Sequence, residues 1–307
     1  EEAGYRTGRI GKYHVGPESV FRFQQALEDS GRNDVKMSEN CREFIKEDSP
    51  FFLYWCSHNP HRGGGVREDL PCSPDRFGNP DDSFPGDEEQ VYDDRDVTVP
   101  SYLSDTPEVR AELAQYYQSV SRLDRGIGRL MQILKENGKY DNTLIIYVSD
   151  NGAAFPESKT TLYEPGMKLP CIVKRPSERR AGGRFNGLLS WVDLAPAILD
   201  TAGADAPVEN FHGRSFAAAM DEEDPSGWRE EVYGAHCFHE ITNYYPMRVI
   251  RTRKHKFIWN IAHPLPYPFA ADLWRSASWQ AALRENAEMF GARRVDAYLH
   301  RPRFELY

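Results

Sequence analysis

Two uninterrupted apolar runs on either side of a long amphipathic stretch constrain this chain most. Phe51-Phe52-Leu53-Tyr54-Trp55-Cys56 and Thr143-Leu144-Ile145-Ile146-Tyr147-Val148 have the length of strands. Continuous rather than alternating apolar sequence belongs to strands covered on both faces. Between them Leu113, Tyr116, Val120, Leu123, Ile127, Leu130 and Leu134 recur at spacings of three and four, the stripe of a helix with one buried face. Thr106 before Pro107 and Glu108 supplies a start and Gly138 a stop, which predicts a helix from about 107 to 137. Pro170–Lys174 reads as a third, shorter strand, and Trp191–Thr201 as a second helix that stops at Gly203. Strand, helix, strand, helix implies an α/β fold with a mainly parallel, mixed sheet between helices.

Residues 63–106 break this rhythm. Rich in Gly, Pro and Asp and poor in aliphatics, they read as a long ordered surface loop, a feature often tied to function. From about Trp228 the pattern changes again, and Met247–Thr252 and Lys256–Asn260 read as antiparallel strands around a turn at Arg253–His255. We divide the chain into a large α/β part, residues 1–227, and a smaller antiparallel α+β subdomain, residues 228–307. The 307 residues are 40% hydrophobic, enough for a sizeable core, and no run approaches the length of a membrane span. The net charge of -9 argues against non-specific binding to nucleic acid or an anionic membrane. The cysteines, Cys41, Cys56, Cys72, Cys171 and Cys237, are odd in number and lack a C-x-x-C spacing. They suit neither a disulfide framework nor a zinc module, and Cys56 and Cys171 are expected as small core residues. Glu1–Gly4 resembles the last turn of a helix, and Phe304–Tyr307 stops within a strand-like run. Both ends therefore read as cuts within a longer protein.

Three polar clusters stand where strands end. Ser149-Asp150-Asn151-Gly152 follows the second apolar run and sets one charged and one neutral oxygen donor at its carboxyl end. That is where open α/β sheets bind ligands, and such donors suit a hard divalent cation. The same residues also make ordinary turns. Lys159 follows eight residues after Asn151 and could present a point charge to an anionic oxygen, or simply be solvated. Gly8-Arg9-Ile10-Gly11-Lys12-Tyr13-His14-Val15-Gly16 places Lys12 and His14 two apart, on one side of an extended segment. Ser57-His58-Asn59-Pro60-His61-Arg62 leaves the first apolar run and offers histidines that could protonate a leaving group. Taken singly, each reads equally as polar loop.

Taken in order, the clusters resemble the sulfatase family of the alkaline phosphatase superfamily. The matching segments are Gly4–Gly8 through Gly11–Gly16, then Asn59-Pro60-His61, then Ser149–Gly152 with Lys159 and Tyr163–Pro170. Phe211-His212-Gly213-Arg214-Ser215 and Met247–Asn260 match later landmarks of the family. Gly16-Pro17-Glu18, Pro60-His61-Arg62, Phe155-Pro156, His239-Glu240-Ile241-Thr242 and Tyr245-Pro246-Met247-Arg248 are similar to the sulfamidases, the heparan N-sulfatases. The resemblance implies an alkaline phosphatase-like fold and hydrolysis of a sulfate ester or sulfamate on a sulfated amino sugar. It implies Asp150 and Asn151 as ligands of one calcium ion, with further ligands upstream. Lys12 and Lys159 would bind sulfate oxygens, His14 would orient a formylglycine hydrate, and His61 would sit by the leaving group. His239 and Glu240 would contact the sugar.

The implied partner is a sulfated carbohydrate, with a homodimer as a further option. The implied compartment is periplasmic, extracellular or lysosome-like. Family members make the formylglycine nucleophile from a Cys or Ser in C-x-P-S-R or S-x-P-S-R, upstream of the Gly-Lys-x-His segment. Neither pattern occurs here, so this stretch alone is expected to be inactive. Cys72-Ser73-Pro74-Asp75-Arg76 meets a looser C-x-P-x-R, but lies after Lys12, carries Asp75 in place of Ser, and runs on into loop. Sulfamidases hold a cysteine pair near this point; Gly63 stands where the partner is expected, which argues against a disulfide at Cys72. Two other readings stay open: a phosphatase or phosphodiesterase of the same superfamily, and a non-catalytic chain that binds sulfated glycan.

Overall fold

A computed structural model describes residues 2–176, 182–205, 207, 210–240 and 242–307. Strand β1 (Arg6–Gly11) is followed by a short β2 (Gln25–Ala26), helices α1 (Asp34–Glu39) and α2 (Arg42–Lys46), and β3 (Phe51–Cys56). The long loop then leads to α3 (Pro107–Glu136), β4 (Ile145–Val148), the single turn α4 (Glu164–Met167), β5 (Cys171–Lys174) and α5 (Leu194–Thr201). The remainder forms β6 (Glu231–Phe238), β7 (Tyr244–Thr252), β8 (Lys256–Asn260), α6 (Ala271–Trp274), α7 (Ala277–Arg284), β9 (Met289–Phe290), β10 (Arg293–Arg294), α8 (Val295–Leu299) and β11 (Phe304–Leu306). Among the described residues no helix is long and apolar enough to cross a membrane.

Helix α3 forms as its caps and stripe predict. The Thr106 side chain accepts from the Val109 N–H, Pro107 opens the first turn, and Gly138 leaves with φ +66°. Leu113, Leu123, Ile133 and Leu134 point inward. At Gly126 the helix lets α1 come close: a Cβ there would collide with Asp34, and the Ser38 hydroxyl donates to the Gly126 carbonyl at 2.7 Å. The expected second helix is split into a 3₁₀ turn at Trp191–Asp193 and α5.

The sheets are mixed, as expected, and differ from the expectation in the cover of β3. Parallel pairing holds in β2-β1-β3, with Arg6 opposite Phe51 and Gly11 opposite Cys56. β5 instead runs antiparallel to β4, Val148 opposite Cys171. A parallel return needs a crossover, usually a helix; here the connection is loop plus one turn, so the chain comes back beside the strand it left. The apolar run of β3 is not evenly covered on both faces, and Tyr54 is exposed. Phe51, Leu53 and Trp55 of β3 pack with Ile10, Met37, Ile45, Ile133 and Leu134 beneath the helices. Phe52 and Tyr54, pointing the other way, meet Phe23 at ring-centroid distances of 6.1 and 6.0 Å. Cys56 and Cys171 are accordingly half-buried, and Cys41 is the cysteine in the core.

Residues 63–106 carry no helix or multi-residue strand, as the sequence predicts, and are pinned by buried polar groups. The fully buried Arg122 donates to Asn79 Oδ1 at 3.1 Å, Glu89 Oε1 at 2.9 Å and Asn59 Oδ1 at 3.1 Å. Asp75 accepts from the Gly63 and Phe77 N–H groups, and Phe77 stacks on Phe155. In the C-terminal part, β11-β8-β7-β6 form one antiparallel sheet, with Met247 opposite Asn260 and Arg251 opposite Lys256, as the two-strand turn predicts. Its inner face shares a single core with α3, α7 and the loop after β4: Tyr245, Met247 and Ile258 pack with Trp279, Leu113, Phe155, Leu162 and Tyr163.

Candidate functional site

Three strand ends and one C-terminal turn supply the site. Parallel pairing of β1 with β3 leaves Lys12 beside the exit of β3, its N–H bonded to the Cys56 carbonyl at 2.8 Å. His61 lies in the loop after β3 and Asp150 directly after β4. Lys159 sits in a tight loop in which its N–H donates to the Ala153 carbonyl, and Glu157 and Thr160 take φ values of +67° and +66°. A side chain at Gly152 would run into Ser158 and Pro165, so only glycine lets this loop fold back onto the end of β4.

The loop delivers Lys159 to His61. Lys159 Nζ lies 3.2 Å from His61 Nε2 and 2.6 Å from Asp272 Oδ2, contacts that span 98 and 113 residues. His61 Nδ1 is 2.6 Å from the Arg62 carbonyl. A carbonyl only accepts, so Nδ1 carries the hydrogen and Nε2 accepts from the Lys159 ammonium. Burial lowers the His61 pKa, and Lys159 and Lys12 press it the same way, against the Arg62 carbonyl and Asp272. His239 is lowered too, by burial first and then by Lys159. Burial alone would raise Asp272, but the Lys159 hydrogen bond and charge outweigh it and hold that carboxyl below the usual range. Lys12, His61, Lys159, His239 and Asp272 thus share one electrostatic neighbourhood.

Other expected residues make no hydrogen bond to Lys159 or His61, although Glu240 acts on His239 alongside Lys159 and Asp272. His14 is exposed and forms no hydrogen bond or ion pair with a described residue; the chain leaves the strand just before Lys12, at Gly11 with φ +81°. Glu240 Oε1 accepts from the Ala271 N–H at 3.4 Å, at the start of α6. Ile241, part of the same matched segment, lies outside the described residues, as does Glu1 of the expected helix end. Cys72 is free and exposed at φ +63°. Burial pushes its thiol up and its charged neighbours are Glu108, Asp94 and Arg284, so it does not join the Lys12–Lys159 group.

Asp150 is exposed, and its carboxylate makes no hydrogen bond or ion pair with a described residue. Its charge is felt by Tyr54 and by Cys56, which also feels Lys12. Asn151 follows it at the rim of a cavity of about 500 Å³ lined mainly by apolar side chains such as Tyr116, Leu123 and Tyr147. Among the described residues no three His, Cys, Asp or Glu side chains gather as a metal site. Asp150 and Asn151 suit a hard cation in kind, as oxygen donors, but make up only part of a shell of six to eight.

Two residues that sequence reasoning passed over shape this arrangement. Asp272 touches Lys159 directly. Arg62, next to His61, is buried against Glu112 at 2.6 and 2.9 Å and donates to the Ala154 carbonyl at 2.7 Å. A lone Asp in Ala270-Ala271-Asp272-Leu273 has no local signature. A buried ion pair was signalled only by Glu112 falling beside Leu113 on the inward side of α3.

A family model described as Sulfatase matches residues 1–204, and one described as N-sulphoglucosamine sulphohydrolase, C-terminal, matches residues 157–267. The chain is 34% identical to the N-sulphoglucosamine sulphohydrolase of Homo sapiens, over all of this chain and 65% of that protein. It is 30% identical to an N-acetylglucosamine-6-O-sulfatase of Bacteroides thetaiotaomicron, over 58% of this chain and 32% of that protein. The chain thus spans about two-thirds or less of these relatives. A solved structure described as a complex with its substrate, D-glucosamine-2-N,6-O-disulfate, shares the fold with a TM-score of 0.60 at 20% identity, over 84% of this chain and 71% of that one. The phosphonate monoester hydrolase of Agrobacterium radiobacter shares it with a TM-score of 0.60 at 15% identity, over 84% of this chain and 70% of that one. With the ordered strand-end clusters and a family model over residues 1–204, the chain belongs to the sulfatase family, on an alkaline phosphatase-like α/β fold.

Proposed function

We propose that the protein removes sulfate from a sulfated amino sugar of the glycosaminoglycan type, as a sulfate-ester or sulfamate hydrolase. The observation that carries this reading is the meeting of Lys159 Nζ and His61 Nε2 at 3.2 Å, with Lys12 close enough to lower the His61 pKa. Two ammonium groups and an imidazole around one point suit a monoanionic sulfuryl group whose leaving atom gains negative charge in the transition state. The identity to an N-sulphoglucosamine sulphohydrolase supports the amino-sugar class.

In this reading Lys12 and Lys159 bind the sulfuryl oxygens. His61, tethered through Nδ1, presents Nε2 to the departing oxygen or nitrogen. Burial and the lysines favour neutral His61 before substrate binds; the substrate's negative charge opposes that bias, and Nε2, having taken a proton from solvent in place of the Lys159 hydrogen bond, passes it to the leaving atom. Asp150 and Asn151 would hold calcium together with further oxygen ligands, and the ion would supply positive charge to the site when bound. His14 would contact the nucleophile, and His239, whose pKa Lys159 and Asp272 shift, would face the sugar. The formylglycine motif is not among these 307 residues.

The test is sulfate release by the intact protein from glucosamine N-sulfate and glucosamine 6-O-sulfate, with His61→Ala and Lys159→Ala alongside. Release by the wild type and a loss of about 100-fold or more in each variant support the reading. Near-normal turnover in both variants would overturn it.

A further inference from the structure

We propose that Asp272 is a positioning residue: it holds the Lys159 ammonium against His61 Nε2 and leaves one Lys159 N–H free for the sulfuryl oxygen. The inference rests on the function proposed above and adds a residue from the C-terminal part of the chain to that site.

An ammonium has three N–H donors. One goes to Asp272 Oδ2 at 2.6 Å and one to His61 Nε2 at 3.2 Å; Lys159 Nζ makes no other hydrogen bond to a described residue, so the third is available to a ligand. A lysine on a flexible four-carbon stem does not hold such a geometry by itself. Here it is caught between two fixed points. Asp272 is fixed because its other oxygen accepts the Leu273 N–H of its own helix, α6, at 3.0 Å. His61 is fixed because its neighbour Arg62 is clamped by Glu112.

The two points are also fixed to each other. Glu112 accepts from the Ala277 and Ser278 N–H groups at the start of α7, directly after α6, and from the Ser278 hydroxyl at 2.7 Å. The path from His61 through Arg62 and Glu112 to α7 and α6 reaches Asp272 without passing through Lys159. The distance that Lys159 bridges is therefore set before the lysine enters it. The side chains of Lys159 and Asp272 are 5% and 20% exposed, so the pair is shielded yet reachable from solvent.

The charged and titratable groups facing His61 are Lys159, Lys12 and Asp272, and His239 stands within the field of the same three. Of these, Asp272 is the one that favours a proton on His61. Removing its charge therefore moves the His61 titration to lower pH, which a merely structural role would not do.

The experiment uses the intact protein and the variants Asp272→Asn, Lys159→Met and their combination. The readouts are the His61 Cε1–H titration by NMR and kcat and KM for sulfate release from glucosamine N-sulfate. Asp272→Asn is expected to lower the His61 midpoint and to reduce kcat about 10- to 100-fold with a smaller change in KM. The double variant is expected to be no slower than Lys159→Met alone, because Asp272 acts through Lys159. An unmoved His61 titration with kcat within about threefold of wild type, or losses that add in the double variant, would overturn the inference. Should Asp272→Asn not fold, Asp272→Glu takes its place: a kcat loss at unchanged Tm and no additivity with Lys159→Met support the inference, and full activity or additive losses overturn it. If the wild type releases no sulfate, the proposed function fails, and the NMR titration still decides whether Asp272 sets the state of His61.

Discussion

Arg62–Glu112 and Lys159–Asp272 are both cation–carboxylate pairs anchored at a strand end: the first joins the loop after β3 to α3 and, through Glu112, to α7, and the second joins the loop after β4 to α6. In the first pair the side chains are 1% and 0% exposed. The Arg62 guanidinium is used on Nε, Nη1 and Nη2 and packs against the rings of Phe77 and Phe155, 4.6 and 5.0 Å from their centroids. Burial alone would raise Glu112, but Arg62 and Ser278 outweigh it and keep the carboxyl below its usual range. In the second pair a donor is left over and part of Asp272 meets solvent. A pair with every group satisfied can only hold the chain in place. A pair one partner short can also receive a ligand, and these two lie side by side because the first fixes the frame in which the second works.

This contrast makes unequal predictions. The largest effect is expected for Glu112→Gln, which leaves the Arg62 charge buried beside a neutral amide. A loss of about 3–5 kcal/mol is expected, seen as a large drop in Tm or in soluble yield, with activity lost only as the fold is lost. A variant as stable as the wild type would make the two pairs alike and break the comparison.

Lys159→Ala should act mainly on activity. Turnover should fall about 100- to 1,000-fold, while Tm falls less than in Glu112→Gln, because the Asp272 carboxylate left behind still reaches solvent. A collapse of Tm in this variant would move Lys159 into the frame.

Removal of divalent cations with a chelator should lower turnover, and calcium should restore it; Asp150→Asn should weaken that restoration, raising the calcium concentration needed about tenfold or more. Equal calcium response in wild type and Asp150→Asn would remove Asp150 from the metal site.

The smallest effect separates a working histidine from a structural one. Burial, with Arg301 and His239, pushes His236 down to about 4. The unfolded chain binds this proton near pH 6.5 and the folded chain does not, so stability is full above that range and declines as pH falls towards about 4. A Tm-versus-pH series should show a shallower acid decline in His236→Gln than in the wild type. His61→Gln should instead change the pH dependence of turnover. Identical Tm curves for wild type and His236→Gln would refute the assignment.

Helix α3, the turn between β7 and β8 and the order of the strand-end clusters were all readable in the residues. Each depends on a pattern a few positions long: Thr106-Pro107 at a start, leucines at spacings of three and four, or apolar residues bounded by Arg253–His255. The cover of β3 was misread because Phe52 and Tyr54 are as apolar as Phe51 and Leu53, although one pair faces Phe23 and the other faces the helices. The direction of β5 could not be read because its sequence is the same for either neighbour; what decided it was a connection without a crossover helix.

Lys12, His61, Lys159 and Asp150 were visible one by one, since a polar side chain at a strand's carboxyl end stands out locally. Their partners were not. Nothing near Lys159 announces Asp272, 113 residues further on, and nothing near His61 announces a lysine 98 residues away. Local order follows from the conformational preferences of neighbouring residues and is written along the chain. A meeting of distant side chains depends on how whole elements pack, here on Glu112 joining Arg62 to the start of α7, and it comes into being when the core closes.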